Sequence, residues 1–253
     1  MTQNTPKAII ALITGANKGI GRAVAISLAK DHGYTVIIGS RQLAAGEALA
    51  AELESQGYHA SSIQLDLSSD RSIVNAAKVI EEKHGRLDVL INNAGVLLDH
   101  NHPSKPKLLT RELWDTTFTT NIIGPACLTE ALVPLLRKAQ GGPPRIVFVS
   151  SCMSSLTNAT NKDMPYYNLE ATAYDCSKAA VNMLALQYVR LLDDVGGIVN
   201  IACPGLVCTD LTLFNPVATT PEEGAEQIVK LAIDMEGKVN GTFSNKMLGK
   251  IPW

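Results

Sequence analysis

Short apolar runs alternate with longer amphipathic stretches along the whole 253-residue chain. The runs at 8–13, 35–39, 60–65, 89–92, 145–149, 198–202 and 241–244 are rich in apolar, often β-branched residues and read as strands. Between them, 20–32, 43–56, 69–84, 111–137, 171–193 and 221–235 repeat apolar residues with a period of 3.6 and read as helices. Strands that are apolar throughout are covered on both faces, and repeated β-α-β connections keep them parallel. The pattern predicts an α/β fold: a single doubly wound parallel sheet of about seven strands with helices on both faces. No composition break, low-complexity tract or internal repeat divides the chain, so residues 1–253 read as one domain.

Residues 8–21 read A-I-I-A-L-I-T-G-A-N-K-G-I-G. An apolar run stops at Thr14-Gly15, and an amphipathic segment opens at Ile20. Gly15, Gly19 and Gly21 lack Cβ atoms, so the backbone can turn sharply and approach a ligand, while free N–H groups at the helix start face anionic oxygens. Such a turn serves a pyrophosphate and makes the sheet Rossmann-type, although the spacing T-G-x-x-x-G-x-G differs from the commoner G-x-G-x-x-G. In these sheets ligands bind beyond the carboxyl ends of the strands. The irregular stretches 98–107, 152–170 and 206–220 all follow strands and are expected to wall the substrate site.

Composition narrows the partners. With net charge −2, a pI near 6.2, 46% apolar and 18% charged residues, the chain offers no basic face for nucleic acid or an acidic membrane. Its amino terminus shows no charged leader ahead of an apolar core, and no run of about 18 apolar residues occurs, so a cytoplasmic protein acting on a small molecule is expected. The five cysteines, Cys127, Cys152, Cys176, Cys203 and Cys208, are scattered without C-x-x-C and read as free thiols. Asp99-His100-Asn101-His102 has metal-ligand residue types but lies in a proline-rich loop, and no metal is expected.

After the second strand, Gly39-Ser40-Arg41 stands where an NAD site usually carries a carboxylate for the adenine ribose. Arg41 and Lys18 could instead face the extra phosphate of NADP. At an effective dielectric near 20, unit charges ~4 Å apart interact by about 4 kcal/mol, enough to select a cofactor after discounting for exposure. NADP(H) is therefore the expected cofactor. Asp66, and Asn92-Asn93-Ala94-Gly95, read either as a helix start and a turn or as cofactor contacts.

Tyr174 and Lys178, four apart, share one face of a helix. A phenol's pKa of about 10 must fall by roughly 3 units to exchange protons near neutrality; at 1.36 kcal/mol per unit that is about 4 kcal/mol, within reach of one close cation. Ser150 and Ser151 end the fifth strand, where a hydroxyl could bond a carbonyl oxygen that is gaining charge. Asn121 lies inside a helical pattern to which asparagine is poorly suited, as a solvated face or a bridge to something functional.

In order along nearly the whole chain, Thr14-Gly15-x-x-x-Gly19-x-Gly21, Asp66, Asn92-Asn93-Ala94-Gly95, Asn121, Ser151, Tyr174-x-x-x-Lys178 and Pro204-Gly205 followed by Thr209 resemble the short-chain dehydrogenase/reductase family. The C-P-G-L-V-C-T-D of 203–210, the run 220–226 and Trp253 are similar to its carbonyl reductases. The resemblance implies Tyr174 as proton donor, Lys178 on the nicotinamide ribose, Ser151 rather than Ser150 orienting substrate, and Asn121 holding a water. It implies cofactor contacts from Gly15, Asn17, Lys18, Gly19, Ile20, Gly21 and Arg41, with Asp66 at the adenine, Asn92 near its ribose and Thr209 at the nicotinamide end. Leu67, Asn93, Ala94, Gly95, Tyr174, Lys178, Pro204, Gly205 and Val207 complete the set.

The implied activity is NADPH-dependent reduction of a ketone or aldehyde. A tailoring reductase of secondary metabolism with a bulky carbonyl substrate, and a non-catalytic NADP-binding regulator, are the alternatives. The interval from Ser151 to Tyr174 is long, as in carbonyl reductases, though not obviously helical. It could reshape the substrate mouth or hinder helix pairing between subunits, so monomer and homo-oligomer both stay open. The loop after Gly205 is short, which suits an open site.

Overall fold

The computed structural model describes residues 8–99 and 110–253. Seven strands run parallel in the spatial order β3-β2-β1-β4-β5-β6-β7: β1 Ile10–Thr14, β2 Thr35–Ser40, β3 Ala60–Gln64, β4 Val89–Asn92, β5 Arg145–Val149, β6 Ile198–Ala202 and β7 Phe243–Asn245. An eighth strand, β8 Gly249–Lys250, turns back antiparallel on β7. The sequence pattern, which gives about seven strands, misses β8 because two residues beginning with glycine carry no apolar alternation.

The helices are α1 Gly19–Lys30, α2 Leu43–Ser55, α3 Asp70–His84, α4 Thr110–Phe118, α5 Gly124–Leu136, α6 Thr172–Leu191 and α7 Pro221–Ala232. The five residues of β1 are all buried, and successive side chains divide between two layers. Ile10 and Leu12 pack with Ile73 and Ile80 of α3, Leu128 of α5 and Val181 of α6. Ala11 and Ile13 pack with Val24 and Leu28 of α1, Leu49 of α2 and Ile228 of α7. Each fully buried Leu or Ile contributes about 1.5–3 kcal/mol of transfer free energy, so this two-sided burial fixes the order of the layers.

The long helix predicted over 111–137 is interrupted. α4 and α5 are joined by a π-helical turn, Thr119–Ile123, which holds Asn121. One residue extra in a turn re-aims a side chain, and such wide turns recur at functional sites. The whole run Thr110–Leu136 is long and apolar enough to cross a membrane by length and composition alone. In this fold its Leu128, Leu132, Leu135 and Leu136 are buried in the core.

The stretch 152–170 makes one short 3₁₀ turn, Cys152–Ser154, and otherwise bends without a helix. Its first part is held against residues near Trp253: the Thr157 N–H donates to the Trp253 carbonyl at 2.7 Å, and Ser155 Oγ to the Pro252 carbonyl at 2.7 Å. α7 starts abruptly with Pro221 at its first position. A reciprocal cap explains this: the Glu223 N–H donates to Thr220 Oγ1 at 3.2 Å and the Thr220 N–H to Glu223 Oε2 at 2.9 Å. Of the 98–107 stretch expected at the substrate site, only Leu98 and Asp99 lie within the described residues, and His100, Asn101 and His102 lie outside them.

Candidate active site

Strand order reverses between β1 and β4, which opens a crevice at their carboxyl ends. Thr14, the last residue of β1, latches that crevice. Its Oγ1 accepts from the Asn93 N–H at 3.0 Å and from the Ala94 N–H at 2.9 Å, and its carbonyl accepts from Asn93 Nδ2 at 2.8 Å. Gly15 has φ +63°, and a Cβ there would lie 3.1 Å from Ala94 Cα. A Cβ on Gly21 would lie 2.6 Å from both Asn93 Nδ2 and the Gly15 carbonyl. Only glycine lets the turn fold this closely onto β4. α1 then begins without a side-chain cap and without an acid in its first turn, leaving the positive end of its dipole for an anion. The turn fits a dinucleotide pyrophosphate.

The other sequence-derived positions gather along the same edge. Thr209 lies against the turn, its Cγ2 being 3.2 Å from where a Gly19 Cβ would stand. Lys18 is exposed and pairs with the Asp210 carboxylate on the loop after β6. Arg41 is exposed just past β2. Asp66 is held below the usual carboxylate range, chiefly because its Oδ1 accepts from the Ser68 N–H and hydroxyl at 2.9 and 2.7 Å, with the Arg41 charge adding less. Asp66 is thus both an Asx turn that leads to α3 and a neighbour of Arg41. Asn17 and Ile20 are half-buried within the turn. Gly205, at φ +84°, follows the half-buried Pro204.

Tyr174 and Lys178 lie one turn apart on the buried face of α6, 8% and 4% exposed. Ser151 Oγ accepts from the Met153 N–H at 3.2 Å, and the Ser151 side chain acts on the Tyr174 phenol, offsetting part of the effect of burial. The Lys178 ammonium lies 5.7 Å from the Tyr174 ring centroid and donates to the Val149 carbonyl at 2.9 Å. A Cβ on Gly95 would be 3.3 Å from both Lys178 Nζ and Asn121 Oδ1, so the segment after β4 connects these side chains to the glycine turn. Ser150 is turned away: it is 2% exposed and donates to the Lys178 carbonyl at 3.3 Å. Only Ser151 shares the cleft with Tyr174.

Asn121, 1% exposed, is a bridge rather than a solvated face. Its Oδ1 accepts from the Val96 N–H at 2.8 Å, and its Nδ2 donates to the Val96 carbonyl at 2.9 Å and to Ser177 Oγ at 3.0 Å. It pins the segment after β4 to α6 beside Lys178.

For several expected positions the structure shows where the side chain is engaged. Asn92 is 4% exposed and donates to Thr129 Oγ1 on α5 at 3.0 Å. Leu67 is a core side chain, 7% exposed, against which Gly124 packs so closely that a Cβ there would meet the Leu67 carbonyl at 2.3 Å. Val207, 2% exposed, packs likewise on Gly224 of α7. Only the backbone of these two could reach a ligand. Tyr174 also titrates in the opposite direction from the expected fall. Burial pushes its phenol well above the usual range, the Cys203 thiol adds to this, and the Ser151 side chain offsets part of it. Burial likewise lowers Lys178, to about 8.

Two residues escape the sequence reading. Asp99, weighed there only as a metal ligand, caps α6: its Oδ1 accepts from the Ala173 N–H at 2.7 Å and its Oδ2 from the Tyr174 N–H at 3.1 Å. The signal was available, since α6 lacks a capping side chain of its own at Ala171. Ser177 ties the helix to Asn121 and, through its hydroxyl, to the Tyr174 carbonyl at 2.7 Å. Its place within Tyr174-Asp175-Cys176-Ser177-Lys178 was the only hint.

A phosphate-seeking turn joined through Gly95 to a buried tyrosine–lysine pair defines a dinucleotide-dependent oxidoreductase. Comparison with known proteins agrees. The sequence profile described as "short chain dehydrogenase" matches residues 9–215, and the chain belongs to the short-chain dehydrogenase/reductase family, which uses a nicotinamide cofactor. It is 36% identical over 228 residues to "Short-chain dehydrogenase anuI" of Penicillium roqueforti (strain FM164), covering 89% of this chain and 88% of the relative. It is 31% identical over 276 residues to "Carbonyl reductase [NADPH] 1" of Homo sapiens, covering 94% and 96%. Among solved structures, a 3-ketoacyl-ACP reductase from Sinorhizobium meliloti 1021 superposes with TM-score 0.77 at 30% identity, over 93% of this chain and 96% of the other. Salutaridine reductase from Papaver somniferum superposes with TM-score 0.77 at 26% identity, over 93% and 99%.

Proposed function

We propose that the protein is an NADPH-dependent reductase of ketones or aldehydes, taking small-molecule carbonyl compounds, with Tyr174 as proton donor. The Ser151 side chain acting on the Tyr174 phenol, with the Lys178 ammonium 5.7 Å from its ring, carries this reading. When bound, the nicotinamide supplies the hydride. Burial keeps the Tyr174 phenol protonated, the state a donor to a carbonyl oxygen needs, and Ser151 holds that oxygen against it. Lys178 brings a positive charge to the same oxygen's surroundings, and Asn121 fixes the wall beside it. Arg41 and Lys18 are the cations for the cofactor's extra phosphate, a choice supported by the relatives named as NADPH carbonyl reductases.

A second reading, a tailoring reductase for a bulky carbonyl compound, shares this chemistry and differs in substrate. The exposed apolar side chains of the loop after β6 favour it: Leu206 is 50%, Phe214 62% and Val217 82% exposed. Tyr174→Phe tests the mechanism. NADPH consumption should fall by about 10²–10⁴-fold while NADPH still binds, and unchanged turnover would refute the donor. A panel of small and bulky carbonyls assayed with NADPH separates the two substrate readings.

A further inference from the structure

Two cysteines that the reaction does not use meet at the edge of the site. Cys152 directly follows Ser151 beyond β5, and Cys203 directly follows β6 and precedes Pro204-Gly205. The two meet through the Cys152 N–H, which donates to Cys203 Sγ at 3.1 Å. Cys203 is 1% exposed, whereas Cys152 is half-buried. The neighbouring Cys203 side chain, joined by backbone N–H groups, lowers the Cys152 thiol below its ordinary value. That shift favours the thiolate, the form that attacks a peroxide.

We propose that Cys152 and Cys203 are an oxidative modification site, at which a hydroperoxide converts the two thiols into a disulfide that disables the Ser151–Tyr174 pair. The Cys152 thiolate attacks the peroxide oxygen, the O–O bond breaks, and the sulfur becomes a sulfenic acid as the departing hydroxide takes up a proton. The Cys203 sulfur then displaces the sulfenic oxygen, forming the S–S bond and releasing water. In sum, two thiols and one hydrogen peroxide give one disulfide and two waters.

The structural consequence follows from the neighbours. A disulfide here would tie Cys152, the direct neighbour of Ser151, to Cys203 at the end of β6. In the proposal this tie draws the Ser151 hydroxyl off the Tyr174 phenol. Tyr166, whose hydroxyl donates to the Cys152 carbonyl at 3.2 Å, is displaced too. The loss of turnover rests on the proposed carbonyl reduction, whereas formation of the bond does not.

The test treats wild-type, Cys152→Ser and Cys203→Ser proteins with hydrogen peroxide, alkylates the remaining thiols and maps peptides by mass spectrometry. A Cys152–Cys203 link is expected in wild type only, with turnover of an NADPH-driven carbonyl substrate reduced at least tenfold and restored by dithiothreitol. Cys152→Ser should keep its turnover after the same treatment. Alkylation of both cysteines after peroxide, or a link to Cys127, Cys176 or Cys208 instead, would overturn the site. Linked protein with undiminished turnover would overturn the effect on Ser151. Should no carbonyl substrate turn over even before oxidation, the function reading fails, and the peptide map still decides the modification site.

Discussion

The Tyr174 N–H donates to Asp99 Oδ2 at 3.1 Å, so the residue that carries the candidate proton is held in place by a carboxylate 75 positions earlier in the chain. Asp99 also takes the Ala173 N–H and so stands in for the cap that α6 lacks. Asp99→Ala should cost about 1 kcal/mol of stability, within the usual 0.5–2 kcal/mol for a lost helix cap. It should also lower kcat more than it raises the KM for NADPH, because Tyr174 loses its register while the glycine turn is untouched. Urea unfolding and steady-state kinetics check both.

Asp175, beside Tyr174, faces the same carboxylate. Burial and the Asp99 charge push it up to about 7, and its Oδ1 is buried without a hydrogen-bond partner. The folded state thus holds a proton that the unfolded chain releases near its ordinary value of 3.8. Stability from this group falls as pH rises from about 4 through 7. Asp175→Asn should therefore be stabilising at pH 8 by about 1 kcal/mol, after discounting for the side chain's partial exposure, and nearly neutral at pH 4. Unfolding curves at the two pH values decide this.

Lys178 is a charge held at the expense of stability. Burial lowers it from 10.5 to about 8, so the folded protein at pH 7 carries a cation that the unfolded chain would accommodate more easily. That cost is full below about 8 and fades as pH rises to 10.5. Lys178→Met should raise stability at pH 7 by about 2 kcal/mol, the cost of roughly 2.5 units less about 1 kcal/mol for the lost bond to the Val149 carbonyl. The gain should shrink at pH 9.5, and turnover should fall at least 10²-fold at every pH. A destabilised variant at pH 7 would refute the argument.

Cofactor choice is read from Arg41 and from the Lys18–Asp210 pair, whose side chains are 64% and 55% exposed. An ion pair this open contributes little to stability, so Asp210→Asn should change it by less than about 0.5 kcal/mol. Freed of that partner, Lys18 should bind the cofactor's extra phosphate more tightly, lowering the KM for NADPH and not for NADH. Arg41→Ala should raise the KM for NADPH about tenfold and leave NADH unaffected. Equal use of NADPH and NADH by wild type would sink the assignment.

The glycines, the strand ends and Tyr174 with Lys178 were legible because each rule is local: a missing Cβ, a stop in an apolar run, a spacing of four. Asn121 could be picked out as a misfit in its helix, but the π-helical turn that aims it at Val96 and Ser177 leaves no periodic trace over five residues. For Asn92, Leu67 and Val207 a motif gives positions, whereas packing on Thr129, Gly124 and Gly224 decides which way the side chain faces. The direction of Tyr174's titration was illegible for the same reason. Spacing revealed the nearby cation, whereas the burial that raises the phenol exists only in three dimensions.

The latch between Thr14 and Asn93 spans 79 positions. A fragment ending in α3 would contain every glycine of the turn and lack the partner that shapes it. The shape of the turn therefore depends on β4 lying beside β1. Binding of the dinucleotide rewards only chains whose central strands are already paired.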